Sequence, residues 1–199
     1  MAISNGYCDL NDVKRSLSIG TADTMDDTLL ELCIESASRA IDNMCERVFF
    51  NGTATRVFIP DDSYTVRIDD LRQITTLKTS DEANAVFDIT WAATDYQLQP
   101  LNGTINGTNW PYTSIYAVGD YLFPTVGNEA TVQVTGVWGW PAVPTAIKQA
   151  TILQSARYFK RSDSPMGVAG FDSMGVVRLA RIDPDIATLI EPYQRIGMA

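Results

Sequence analysis

The chain has 199 residues and a formal net charge of −9, with 24 acidic side chains against 15 basic ones, long enough to bury a core as one domain, or as one domain with a sizeable insertion, without crosslinks. It has no histidine, which removes the usual zinc clusters and the imidazole bases of hydrolases and leaves general acid–base work to carboxylates. No apolar run reaches the length of a membrane span, and the N-terminus lacks the basic start and apolar stretch of a signal peptide, so a soluble chain made in the cytosol is expected.

In chain order, Asp9 is placed to cap a short helix carrying Leu10, Val13 and Leu17 on one face, with Gly20 just beyond its end. Asp26 or Asp27 then opens a longer helix to about Arg47. Its Leu30, Cys33, Ile34, Ala37, Ile41, Met44 and Val48 recur at helical spacing within a stripe about 100° wide. On the opposite side Asp27, Glu31, Glu35, Asp42 and Glu46 line up in a second stripe. That stripe is either a solvated face or, on the sharper reading, the wall of a channel past which DNA slides without sticking. Cys33 and Cys45, about 18 Å apart along this helix, cannot pair.

From about Thr53 to Trp140 the texture changes to β-branched and alternating segments broken by turn residues. Arg56–Ile59, Tyr64–Ile68, Ile74–Leu77, Val86–Trp91, Tyr96–Leu98 and Ala130–Thr135 read as strands, and residues 101–114, rich in Asn, Gly, Thr and Pro, as a loop. Three Asn-Gly-Thr triplets, at Asn51, Asn102 and Asn106, match the glycosylation sequon but read better as turns. Pro144 sits in the first turn of a helix running to about Arg161. Ile147, Ala150 and Tyr158 point to one side of it, and Ile152, Ala156 and Phe159 to nearly the other, so it needs two partners. One is the chain's own core; the other is a flanking domain or a neighbouring subunit. The following segment sets Gly167, Gly170 and Gly175 among Val168, Phe171, Met174, Val176 and Val177, too apolar for a solvated loop and too glycine-rich for a regular element, so a cover is expected. Asp183 then caps a short helix with Pro184 at its first position, and Pro192 ends or kinks it.

Charge is uneven. Residues 1–50 hold nine acids and four bases, 51–140 ten and four, and 141–199 five and seven, leaving the last quarter mildly basic but without a patch for tight, sequence-independent nucleic-acid binding. The pairs Asp61-Asp62, Asp69-Asp70 and Asp81-Glu82 invite a carboxylate mechanism, yet neighbours in a strand point to opposite faces and such pairs in turns are usually caps. No phosphate loop or nucleophile elbow is present. Trp91, Trp110, Trp138 and Trp140, with Tyr112 and Tyr116, either pack a core or line a sugar site. No catalytic, cofactor or metal residue is assigned.

Two stretches resemble the head-tail connector, or adaptor, proteins of long-tailed double-stranded DNA bacteriophages. The first is Tyr7-Cys8-Asp9-Leu10-Asn11-Asp12-Val13-Lys14 with the helix ending Ile41-Asp42-Asn43-Met44-Cys45-Glu46-Arg47-Val48-Phe49. The second begins Val143-Pro144-Thr145-Ala146-Ile147-Lys148-Gln149-Ala150, runs through Ala156-Arg157-Tyr158-Phe159-Lys160-Arg161 and Gly167-Val168-Ala169-Gly170-Phe171, and closes with Arg181-Ile182-Asp183-Pro184-Asp185 and Pro192-Tyr193. Together they cover about half the chain. With the order of elements, the resemblance implies an α+β fold: a helical core of about four helices from residues 1–50 and 141–199, with a strand-rich insertion, 51–140, between the second and third helices. It implies a structural, non-enzymatic virion protein without cofactors, in a ring commonly of twelve copies at the head–tail junction. Its partners would be other copies, the portal protein and a downstream neck or tail protein, with the genome passing through unbound and no membrane involved. Contact with the portal or a neighbouring subunit is then expected from Arg157, Lys160, Arg161, Val168, Phe171, Met174, Val176, Val177, Arg178 and Arg181. A neck stopper or tail-completion subunit is the near alternative, and a carbohydrate-binding β module the alternative of another class.

Overall fold

The computed structural model describes residues 3–81, 86–162, 168–172, 175–178 and 183–195. In chain order its elements are α1 (Leu10–Ser16), α2 (Asp27–Cys45), β1 (Gly52–Phe58), β2 (Thr65–Thr79), β3 (Ile89–Trp91), β4 (Tyr96–Gln99), β5 (Thr104–Ile105), β6 (Thr108–Asn109), β7 (Tyr112–Ala117), β8 (Val132–Trp138), α3 (Thr145–Ser162), β9 (Val168–Asp172), β10 (Gly175–Arg178) and α4 (Pro184–Ile190). The fold is α+β, with the main sheet between α2 and α3. The chain divides into two compact units, Met1–Arg47 with Val143–Ala199, and Val48–Ala142.

In the helical unit, α1 starts where the sequence places it. Asp9 is extended, and the Asp12 carboxylate accepts the Asp9 N–H at 3.3 Å, one arm of a capping box. α2 ends at Cys45, two residues short of the expected Arg47, because Glu46 turns left-handed at φ 52°. The predicted stripe is buried at Leu30, Cys33, Ile34, Ala37 and Ile41, but Val48 is exposed. α3 buries Ile147, Ala150, Thr151, Gln154 and Ser155 along one line. The Thr151 and Ser155 hydroxyls donate to the Ile147 and Thr151 carbonyls at 2.8 and 2.7 Å, so this seam of small polar side chains is satisfied within the helix itself.

The other apolar side of α3 finds its partner at home. Ile152 and Phe159 pack on a cluster of Cys8, Val13, Leu30 and Ile34, so the second partner that the two-sided pattern demands is the unit's own α1 and α2. Neither a flanking domain nor a second subunit is needed to cover Ile152 and Phe159. α4 opens on Asp183, whose carboxylate accepts the Asp185 N–H at 3.0 Å, and it buries Ile186 and Ile190. Pro192 falls in a closing 3₁₀ turn, Glu191–Tyr193. The glycine-rich segment expected to hold no regular element contains β9 and β10, paired antiparallel with Val176 opposite Phe171 and Arg178 opposite Val168. Intervening valines and a phenylalanine suit a pleated ladder, and they outweigh the glycines there.

The β unit is an antiparallel sheet in the order β1-β8-β2-β7-β4, with β3 on β2. The two strands expected at Tyr64–Ile68 and Ile74–Leu77 are one 15-residue strand, β2, whose first half pairs with β7 and second half with β8. Register shifts at Arg67/Leu71, Leu71/Gln73 and Ile74/Thr76 mark bulges that let one strand serve both halves. At this point β8 carries Gly136, where a Cβ would overlap the Gln73 carbonyl oxygen. Val66, Ile68, Leu71, Leu77, Ile115, Val132, Val134 and Trp138 form the core with Trp91 and Phe123, whose rings stack at 4.7 Å. The expected loop 101–114 instead holds the β5–β6 hairpin, turning on Asn106-Gly107 at positive φ, and the start of β7.

Candidate functional site

The acidic stripe of α2 is not a uniformly solvated wall. At about 100° per residue its centre lies roughly 110° from that of the buried stripe, so it flanks the core rather than opposing it. Asp27 pairs with the buried Lys14 of α1. Glu35 accepts the Ser4 and Asn5 N–H groups at 2.6 and 3.1 Å. Asp42, itself buried, accepts the Tyr7 hydroxyl and an ion pair from Arg39 at 3.0 Å. Ser38 accepts the Tyr7 N–H, and Arg39 donates to the Asn5 carbonyl while its guanidinium lies 5.4 Å from the Tyr7 ring centre.

Glu35, Ser38, Arg39 and Asp42, at i, i+3, i+4 and i+7, therefore form one polar track that holds the N-terminal strap, residues 4–7, against α2. Sequence reasoning missed this seat. Its signal was the mixed polar set on the stripe, Ser and Arg among the acids, where a repulsive wall would carry acids alone. Glu46, beyond the helix end, is the exposed member of the five, and Glu31 is half-buried.

The expected contact residues divide three ways. Lys160 and Arg161 are exposed at the end of α3. Arg157 is half-buried, its guanidinium 3.9 Å from the Asp183 carboxylate that caps α4. Val168, Phe171, Val176, Val177 and Arg178 are placed on the β9–β10 ladder by backbone alone, and Met174 and Arg181 lie outside the described residues.

Sequence reasoning also passed over a second face of α2. Leu29 and Leu32 fall outside both predicted stripes, and they are 38% and 55% exposed, with Met25 just ahead of the helix at 90%.

Two of the three carboxylate pairs have structural employment. Asp61 accepts the Arg67 guanidinium and its backbone N–H, both at 2.8 Å, and the hydrogen bond from Arg67 holds its carboxyl below the usual range. Asp62 accepts the Tyr64 and Thr65 N–H groups, Asp69 pairs with Arg56 at 2.6 Å, and the buried Asp70 accepts the Trp140 indole N–H at 3.0 Å. Asp81 is exposed in a bend, and Glu82 lies outside the described residues. Among the described residues no group of three or more Cys, Asp or Glu is arranged to hold a metal. No helix there is long and apolar enough to cross a membrane.

Three of the four tryptophans are core. Trp91, Trp138 and Trp140 are buried, and their ring N–H groups go to Thr79, the Ala54 carbonyl and Asp70. Half-buried Trp110 sets its edge on Trp140 at 4.5 Å. A sugar platform built from these rings has lost the exposed faces it needs. The cysteines are buried thiols; desolvation pushes Cys8 up to about 12 and Cys45 to about 11, far from a reactive thiolate.

No protein-family model matches the chain, and no curated protein sequence matches it. Solved structures do. A chain from the neck of an empty gene transfer agent particle, computed with C6 symmetry, superposes with a TM-score of 0.63 at 17% identity, over 100% of this chain and 95% of that one. A chain from the neck of the native particle, computed with C12 symmetry, gives 0.62 at 16% identity over 100% and 94%. A chain from the virion of the native gene transfer agent particle gives 0.57 at 18% over 100% and 95%. The chain therefore shares the fold of these proteins from end to end, the sheet between α2 and α3 included.

Proposed function

We propose that this chain is a structural subunit of the neck of a tailed-phage-like particle, a head-tail connector that joins the portal to the tail as a ring commonly of twelve copies. The observation that carries this reading is the whole-chain likeness to neck chains, in which both the helical unit and the inserted sheet have counterparts and neither partner leaves a large remainder. The C6 and C12 symmetry of those necks supports a ring of identical subunits. Asp61, Asp62, Asp69 and Asp70 are engaged in turn hydrogen bonds, ion pairs and an indole hydrogen bond, which fits a protein that works by assembly.

The mechanism is passive. Each copy contributes a modest contact, and ring symmetry multiplies it until the joint holds through avidity. A net charge of −9 per copy suits a passage past which DNA slides; within the α2 stripe the exposed Glu46 is the side chain available for that wall, because Asp27, Glu35 and Asp42 hold the fold. Lys160 and Arg161, with the β9–β10 hairpin, are the surfaces assigned to neighbours.

The test mixes the purified chain with isolated portal rings and, separately, with tail components of the same particle, and images what forms by electron microscopy. A ring seated on the portal supports the connector. A ring that ignores the portal but caps a pre-formed connector makes it a stopper, and no association with any neck component refutes a neck role.

A further inference from the structure

Two exposed stripes of the helical unit match each other in chemistry and in spacing. On α2, Leu29, Leu32 and Ser36 fall within about 60° of one another, turned away from the core and from the strap, and Met25 leads into them. Two exposed acids, Asp23 and Asp26, precede the helix at the N-terminal end of this stripe. On α3, Gln149, Leu153, Ala156 and Lys160 likewise share a face about 60° wide, with half-buried Leu153 and Ala156 midway along it, exposed Lys160 at its end and exposed Arg161 one residue on, turned about 100° from it. Leu32 stands six residues from Asp26, about 9 Å along the axis, and Leu153 seven residues from Lys160, about 10 Å. Laid antiparallel, the two stripes put a lysine over an aspartate and leucine over leucine in the same register.

We propose that these stripes are the two halves of the contact between neighbouring copies of this chain: the acid-tipped α2 face of one copy lies antiparallel along the base-tipped α3 face of the next. The inference rests on the ring reading above and names its interface. A closed ring of identical subunits needs two different patches on each copy, complementary to one another. These two supply an apolar centre and opposite charge at matching ends. Copies carrying −9 each repel one another over most of their surface; Leu29, Leu32 and Ser36 are uncharged, with the engaged Arg39 at the edge of the stripe farthest from its acidic tip, and the base the tip would meet lies in the one quarter of the chain where bases outnumber acids. Leu29 and Leu32 on the helix, with Met25 just ahead of it, thereby gain the cover that a cluster of large exposed apolar side chains calls for.

The test uses two full-length variants, Lys160→Glu/Arg161→Glu and Asp23→Lys/Asp26→Lys, each checked for folding by circular dichroism. Ring formation is followed by sedimentation velocity and negative-stain microscopy, for each chain alone and with the portal ring of the same particle as template. Each variant alone opposes like charges at every contact and should lose the ring. Mixed in equal amounts they alternate around the ring, every contact again joins acid to base, and the ring should return. If each variant forms rings as the unaltered chain does, or if the mixture of folded variants fails to recover them, this interface is wrong while the ring reading stands. If the unaltered chain forms no ring in either condition, the ring reading falls and takes this contact with it.

Discussion

Replacing Lys14 with methionine measures how much one buried ion pair holds the helical unit together. The Lys14 residue is 1% exposed, pairs with Asp27 in the first turn of α2 and donates to the Asp23 carbonyl at 2.6 Å. Methionine keeps most of the stem's volume and removes the charge, so the packing change is small and the electrostatic change is whole. Removing one partner of a buried pair costs about 3–5 kcal/mol; the Asp27 side chain keeps 26% exposure, water recovers part of that, and a loss of about 2–3 kcal/mol is expected. Neutralising the partner as well, in Lys14→Met/Asp27→Asn, removes the stranded carboxylate and should recover a large part of the loss. Urea titrations followed by far-ultraviolet circular dichroism read the helices, while tryptophan fluorescence reads the other unit alone, since Trp91, Trp110, Trp138 and Trp140 all belong to it. A loss under about 1 kcal/mol for Lys14→Met, or a double variant no more stable than the single one, would refute the assignment of this pair as the clamp between α1 and α2.

Other outcomes follow from the same contacts. Gly136→Ala should destabilise the sheet unit by about 1–3 kcal/mol in a fluorescence-detected titration, because a Cβ there overlaps the Gln73 carbonyl at the bulge; an unchanged midpoint would mean that β2 gives way freely. The thiols of Cys8, Cys33 and Cys45 should resist iodoacetamide in the native protein and alkylate together on denaturation, read by mass spectrometry, since burial keeps them protonated; native labelling of Cys8 or Cys45 would contradict their surroundings. Asp61 has its carboxyl held down by the hydrogen bond from Arg67, so its stabilising increment is complete above the ordinary value of 3.8 and disappears as the pH falls through the lowered folded value. Unfolding of the chain and of Asp61→Asn should therefore differ near neutral pH and converge in acid; a difference that persists in acid would locate the effect elsewhere.

Much of the helical unit was legible because its causes are local. Asp9, the α2 periodicity and Asp183-Pro184 act through residues within a turn or two, and each starts its helix where the sequence implied, while Pro144, expected inside the first turn, stands one residue ahead of α3. The resemblance at the two ends of the chain anticipated helices enclosing strands, and the solved neck structures share that fold over its full length. The strands were harder. Periodicity located pieces of β2 but could not join them across Asp69-Asp70, where a bulged strand tolerates charge that a regular one would not. It passed over β7, which lies next to β2 and β4 in the sheet though the turn-rich residues before it suggested a loop.

The candidate surfaces depended most on tertiary structure. A stripe of acids on a helical wheel looks alike whether it faces water or receives hydrogen bonds from a strap 30 residues away, as Glu35 does from Asn5. The two-sided apolar pattern of α3 looks alike whether its second partner is a neighbouring copy or its own α1. Only packing distinguishes these cases, because burial and hydrogen-bond satisfaction are properties of distant residues brought together. By itself the sequence determined which segments are helical, which functional classes its missing histidine excludes and where charge lies along the chain, all consequences of short-range chemistry. The tertiary structure decided which acids are engaged, which tryptophans are core and which leucines remain on the surface.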